Sequence, residues 1–272
     1  MDQPIRIDGT TRLFVIVGDP IVQVKSPSVY SQLFADRGLP AVLVPLHVLR
    51  ADMDALGPQL ALIHNLDGII VTAPYKVTLC SLCSSLGPAA QCVGAVNALR
   101  RRTDGGWHGD LFDGAGFVVG ARRRGIALAG RRVLQFGAGG AGSAIAYELA
   151  QAGVGSLRIA DPHSARVQRL CAAITSHFPG FDVAPAGSSP DDSDLVINAS
   201  TVGMGGTPGL PGLLPALGHA VAIGEVNITA QGTDLVRMAQ AAGAPWVDGA
   251  FMHAGQIDCL MEFFFPPAAQ AR

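Results

Sequence analysis

The sequence predicts an α/β protein of two units, and three observations predict it. Short apolar, β-rich runs alternate with amphipathic stretches through the first third of the chain, a pattern of strands paired largely in parallel. A second round of the same alternation begins at Arg131. Inside that second round a glycine turn, Gly137-Ala138-Gly139-Gly140-Ala141-Gly142, stands between a buried strand and a helix, as in a Rossmann-like layer. A length of 272 residues suits two domains of ordinary size.

In order, Leu13–Val17 reads as a strand that stops at Gly18-Asp19-Pro20. Ser26-Pro27 opens a helix, with Ser26 as cap and Pro27 in the first turn, and Val29, Leu33 and Phe34 supply its apolar stripe. Ala41–Leu46 is a second strand. Ala51–Ile63 is a helix interrupted by Gly57-Pro58, and Gly68–Val71 is a third strand closed by Ala73-Pro74. Val93–Leu99 reads as a further strand and Arg100–Gly106 as a hairpin tip. Phe112–Arg124 is the helix expected to link the units. Val133–Phe136, Leu157–Ala160, Leu195–Asn198 and Ala220–Ile223 are strands of the second layer, with a helix over Ala144–Gln151. Gly203–Pro215 is a Gly/Pro-rich loop, Gln231–Ala242 and Gly249–Phe265 are helices, and Pro266–Arg272 reads as a frayed tail.

Apolar types make up 49% and charged types 15%, enough for a core and unlike a disordered chain. A net charge of −2 offers no basic footprint for nucleic acid. No apolar run approaches the ~18 residues of a membrane span. Met1-Asp2-Gln3-Pro4 is polar and acidic, unlike a signal peptide, so the cytoplasm is the expected location. The 5 cysteines, an odd count, are expected as free thiols. Cys80-x-x-Cys83 lacks a second pair or a His-x-x-x-His, so no metal is expected.

The glycines of the turn would let backbone amides approach a pyrophosphate at a helix N-terminus. Asp161 ends the next strand, close to the ~20-residue spacing at which an acidic residue accepts the adenosine ribose hydroxyls. A 2′-phosphate there would meet like charge, so NAD is expected over NADP, although Arg158 and Arg166 could contact a phosphate. Asp161-Pro162 also reads as a helix cap.

Three polar islands stand in apolar or glycine-rich surroundings: Val71-Thr72-Ala73-Pro74-Tyr75-Lys76, Gly94-Ala95-Val96-Asn97, and Gly109-Asp110-Leu111-Phe112-Asp113-Gly114-Ala115-Gly116. Strand ends of α/β sheets are where ligands bind. A Lys and an Asp meeting at a cleft can make a proton-transfer pair with a substrate hydroxyl.

With these islands, Gly18-Asp19-Pro20-Ile21, Lys25-Ser26-Pro27, Asn198-Ala199-Ser200, Gly203-Met204 and Gly249 with Gln256, the chain resembles the shikimate/quinate dehydrogenase family over its whole length. The resemblance implies an N-terminal substrate domain over 1–110, a Rossmann-like NAD(P)-binding domain over 111–248, and a helix over 249–272 that returns to the first domain. It implies reversible hydride transfer at a ring carbinol of shikimate, quinate or a related cyclic hydroxy acid, by a monomer or homodimer. Lys76 and Asp113 match the catalytic pair; Ser26, Thr72, Asn97 and Gln256 match substrate-contacting positions. The glycine turn, Asp161, Ser200 and Met204 match the cofactor side.

Val24 stands where the family usually has a carboxylate-binding Ser. Ile70 replaces an Asn, and Leu111-Phe112 replaces Asn-Thr. These swaps remove hydrogen-bonding groups and favour weak binding of shikimate itself. A dehydrogenase for a less polar alcohol and a non-catalytic NAD-binding regulator are the alternatives. Plainer roles stay open as well: Lys76 as a surface lysine, Asp113 or Ser26 as helix caps, Asn97 as a loop clamp, Gln256 facing solvent. His64, His108 and His253 show no pairing with Ser, Cys or Asp and are read as structural or surface residues.

Overall fold

The computed structural model describes residues 5–187 and 192–266. The tail expected beyond Pro266 and the polar Met1–Pro4 lie outside the described residues. The chain divides into two compact units, one of residues through Leu111 joined by those from Glu262 onward, the other Phe112–Met261. The sequence sets the boundary at 110 and gives 249–272 whole to the first unit; in the structure the second division falls inside the last helix.

The first unit runs β1 (Arg12–Gly18), α1 (Ser26–Asp36), β2 (Ala41–His47), α2 (Met53–Gln59), β3 (Leu66–Val71), β4 (Cys83–Leu86), α3 (Pro88–Val93), β5 (Ala98–Arg101) and β6 (Trp107–Asp110). Its sheet has the order β2-β1-β3-β5-β6-β4. β1 pairs in parallel with β2 and β3, whereas β3–β5 and β5–β6 are antiparallel. β1 is central, so its run Phe14–Val17 is buried on both faces. Phe14 packs against Phe34 and Phe264 at ring-centroid distances of 5.1 Å. Gly68 lies beneath them; a Cβ there would come within 2.5 Å of the Phe14 ring.

Several expectations shift here. Of the strand expected over Val93–Leu99, only Ala98 and Leu99 are strand, as the start of β5. Val93 ends α3, and Gly94 terminates it in the left-handed region at φ 73°. Asn97 therefore precedes β5 and is not inside it. Ser26 is the first helical residue and not the cap; Lys25 holds the cap position, without a side-chain cap bond. α2 runs through Gly57-Pro58 and then tightens into a 3-10 turn over Leu60–Leu62.

The second unit runs α4 (Asp113–Arg123), β7 (Arg132–Phe136), α5 (Gly140–Gln151), β8 (Ser156–Ala160), α6 (Ser164–His177), β9 (Val183–Pro185), β10 (Leu195–Asn198), β11 (Ala222–Glu225), α7 (Asp234–Ala241), β12 (Trp246–Val247) and α8 (Gly249–Phe264). All described pairs of its sheet, β12-β11-β10-β7-β8-β9, are parallel. Leu134, Phe136, Val196, Ile223 and Leu235 form part of its buried core. α6, which the sequence reading passed over, buries Val167, Leu170 and Ile174 at helical spacing. Its cap position is His163, so Asp161 is not the cap. α7 starts later than expected, capped by the Thr233 hydroxyl, which accepts from the Val236 amide.

All five cysteines are free. Burial, with a smaller push from Cys80, raises the Cys83 thiol to about 12. Among the described residues no helix is long and apolar enough to cross a membrane, and no group of three or more His, Cys, Asp or Glu could hold a metal ion.

Glycines in α4 set its packing distance. A Cβ on Gly114 would lie 2.1 Å from the Ala144 carbonyl oxygen of α5. Gly114→Ala is therefore expected to lower stability by about 1–3 kcal/mol in urea unfolding, the usual cost of overpacking. An unchanged midpoint would contradict this packing.

Candidate active site

In the first unit Thr72, Lys76 and Asn97 stand around the C-terminal end of β3, beside that of β1. The Thr72 amide donates to the Val17 carbonyl at 3.0 Å and the Asp19 amide to the Ala73 carbonyl at 3.0 Å, locking the two strand ends together. Gly18 permits this approach, since a Cβ there would sit 2.4 Å from Thr72 Cγ2. The turn continues through buried Tyr75, whose hydroxyl donates to the Val48 carbonyl, to half-buried Lys76. Lys76 is fixed through its backbone: its carbonyl accepts from the Val96 amide at 2.9 Å. Asn97 is buried, its carbonyl accepting from Val71 at 2.7 Å and its amide donating to Asp110 at 3.0 Å. Thr72, Lys76 and Asn97 are thus braced by one backbone network, and Ser26 stands at the start of α1. Of the apolar replacements, Val24 is half-exposed, while Ile70 is 8% and Leu111 1% exposed. Those two act through packing.

In the second unit a cleft of about 470 Å³ opens at the strand ends, lined by Gly137, Gly139, Asp161, His163, Arg166 and the stretch Ala199–Val202, among others. Gly137 takes φ 103°, and a Cβ on it would lie 2.4 Å from the Ala199 carbonyl oxygen. A Cβ on Gly142 would lie 2.2 Å from the Gly137 carbonyl oxygen. Gly139 and Gly140 face open space, with nothing within 4 Å of a notional Cβ. Helix α5 begins at Gly140, so its first amides point into that space. The turn and the N-terminus of α5 thus fit a pyrophosphate.

Asp161 joins the turn to the end of β8. Its Oδ2 accepts from the Ala138 amide at 2.9 Å and its Oδ1 from the His163 amide at 2.8 Å. Burial raises its pKa, but these amides and the nearby Arg166 and His163 charges outweigh that, and the group sits below the ordinary carboxylate range. Each oxygen keeps a lone pair for a further donor. Arg166 lines the cleft. Arg158 does not; it pairs with Asp182 at 2.8 Å in a separate depression. Ser200 lines the cleft, whereas Met204 lies in an exposed turn and is absent from its lining. Ala138, Gly140, Ala141 and Gly142 build the turn beside or beneath the lined surface.

Asp113 is the first residue of α4, one past the cap position, which Phe112 holds. Its carboxylate accepts from Gln256 Nε2 of α8 at 2.9 Å, which removes the plain solvent reading of Gln256. The two helices meet closely: a Cβ on Gly116 would lie 2.8 Å from the Gln256 Cβ.

Two polar groups were missed by sequence reasoning. Gln135, fully buried in β7, donates through Nε2 to the Gly137 and Gly142 carbonyls at 2.9 Å each, and its Oε1 finds no partner among the described residues. Glu225, fully buried at the end of β11, accepts from Asn198, Asn227 and Thr233. Burial pushes its pKa up against the pull of those donors.

Comparison with known proteins agrees with this layout. Residues 16–99 match the shikimate dehydrogenase substrate binding domain family. A relative from Anaeromyxobacter sp. (strain K), named shikimate dehydrogenase (NADP(+)), is 36% identical over 249 residues, covering 89% of this chain and 87% of its own. The shikimate 5-dehydrogenase of Listeria monocytogenes, solved with shikimate and NAD, superposes with a TM-score of 0.87 at 26% identity, over 95% of this chain and 93% of that one. The quinate dehydrogenase of Corynebacterium glutamicum, solved with NAD, gives 0.85 at 26% identity over 94% of each chain. With two α/β units in the expected order and relatives of this identity and coverage, the chain belongs to the shikimate dehydrogenase family of oxidoreductases.

Proposed function

We propose that this oxidoreductase binds NAD in the cleft of its second unit and moves a hydride between the nicotinamide ring and the ring carbinol of shikimate, quinate or a related cyclic hydroxy acid. Asp161 carries the cofactor reading. Its charged carboxylate, with free lone pairs, suits the two hydroxyls of an adenosine ribose and repels a 2′-phosphate. The Anaeromyxobacter relative is named for NADP, and Arg166 supplies one positive charge in the same cleft. Asp161 is bonded to the turn through Ala138 and is the basis for reading NAD. Gly139, Gly140 and the first turn of α5 would receive the pyrophosphate. The nicotinamide, when bound, supplies or takes up the hydride.

In this reading Lys76 Nζ exchanges the proton of the substrate hydroxyl, and Asp113 is its partner carboxylate. Gln256 fixes the Asp113 carboxylate by donating to Oδ1. Ser26, Thr72 and Asn97 hold the substrate's polar groups. A bare sensor would need neither Lys76 nor Asp113, so their joint presence favours the enzyme. Val24 favours a less polar alcohol as a second substrate class, because a half-exposed valine offers a carboxylate no donor.

Two experiments test the reading. In steady-state kinetics Asp161→Ala is expected to raise KM for NAD by about 10–100-fold, the loss of a hydrogen bond to a charged group, and to narrow the gap to NADP. Equal or better use of NADP by the unaltered protein would contradict the assignment. On whichever cyclic alcohol is turned over, Lys76→Ala is expected to lower kcat by about a hundredfold or more while KM for NAD stays nearly unchanged. Asp113→Asn should lower kcat too, with a combined loss far smaller than the product of the two. Near-normal kcat in Lys76→Ala would overturn the mechanism.

A further inference from the structure

Glu225 takes no part in the chemistry above, yet its carboxylate is fully buried and no cation is bonded to it among the described residues. Burying a charge is costly unless hydrogen bonds replace water. Here the donors are Asn198 Nδ2 at 2.9 Å, the Asn227 backbone amide and Nδ2 at 2.9 Å each, and the Thr233 hydroxyl at 2.9 Å. An ionised carboxylate only accepts, so it compels both asparagines to turn their NH₂ groups toward it.

That orientation has a consequence at the cleft. With Nδ2 toward Glu225, Asn198 Oδ1 faces Ser200 and accepts from its amide at 3.1 Å and its hydroxyl at 2.6 Å. The Asn198 and Asn227 NH₂ groups also donate to the Val202 carbonyl at 2.9 and 3.0 Å, and Asn227 donates to the Ser200 carbonyl at 3.1 Å. Ser200, Thr201 and Val202 form one wall of the cleft that holds Asp161. The wall is therefore held by two amides whose sense is set by one buried charge.

We propose that Glu225 is a positioning residue for cofactor binding, acting through Asn198 and Asn227 to hold the 200–202 wall of the nucleotide cleft. The inference rests on the cofactor reading of that cleft. Glu225→Gln keeps the shape but presents an NH₂ group to donors. One asparagine must then flip, and a flipped Asn198 would aim its NH₂ at the Ser200 amide.

The test is NADH titration of the full chain by fluorescence, with steady-state kinetics and hydrogen exchange alongside. Glu225→Gln is expected to weaken NADH about tenfold, equivalent to about 1.4 kcal/mol, with kcat at saturating cofactor within about threefold. The amides of Ser200 and Val202 should exchange faster. The swap Glu225→Gln with Asn198→Asp restores a donor facing an acceptor at position 225 and keeps the acceptor for Ser200, while the Val202 carbonyl keeps only its Asn227 donor. NADH affinity should therefore recover in part, by about threefold or more over the single variant. The swap carries the test by itself if the single variant fails to fold. A Glu225→Gln protein that melts earlier but binds NADH normally, or a swap no better than the single variant, would overturn the inference and leave the cofactor reading intact. An unaltered protein that bound neither NADH nor NADPH would overturn the cofactor reading and the inference with it.

Discussion

Backbone approaching backbone more closely than any side chain would allow is the constraint on which the second unit depends. Gly137 and Gly142 create it. Their notional Cβ atoms would lie 2.4 Å from the Ala199 carbonyl and 2.2 Å from the Gly137 carbonyl. This draws the ends of β7 and β10 together and lets α5 start at Gly140, inside the turn. Gln135 ties the turn from below, and Asp161 ties it from the side through Ala138. The open faces of Gly139 and Gly140 follow from that bracing. The same device recurs in α4, where Gly114 admits α5 and Gly116 admits α8, leaving Asp113 within reach of Gln256.

The first unit solves its own problem differently. Its candidate residues sit on the connections that leave the sheet, held by amide-to-carbonyl bonds between neighbouring strand ends. The change from parallel to antiparallel pairing at β3–β5 brings Asn97 beside Val71. A short chain segment can present Thr72, Lys76 and Asn97 only because each backbone is already tied to another.

Much of this was legible in the sequence because it is local. The glycine turn, its flanking strand and helix, and Asp161 at the end of β8 all lie in one continuous stretch. So do the lysine turn and the Asp113 helix. Errors arose where apolar content outweighed punctuation. Val93 and Val96 suit a strand over Val93–Leu99, yet the positive φ of Gly94 between them ends a helix, and only Ala98 and Leu99 enter β5. α6 carried its signal in Val167, Leu170 and Ile174, and the cap the sequence offers, Asp161-Pro162, falls short of the actual cap position at His163. What could not be read was the pairing of distant polar groups. Asn198 and Glu225 are 27 residues apart, and each alone is only a polar residue closing a strand. Asp113 and Gln256 are 143 apart, named by resemblance and joined only in three dimensions. Gln135 looks like an ordinary strand residue until its amide is seen bridging two glycine carbonyls.

The central claim is that the cleft at Asp161 is a nicotinamide dinucleotide site whose acidic residue reads the adenosine ribose. A crystal structure of the protein with NAD tests it most directly. Both ribose hydroxyls are expected within about 2.5–3.0 Å of the Asp161 carboxylate, with the pyrophosphate over Gly139 and Gly140. A dinucleotide bound elsewhere, or one whose ribose turns away from Asp161, would contradict it.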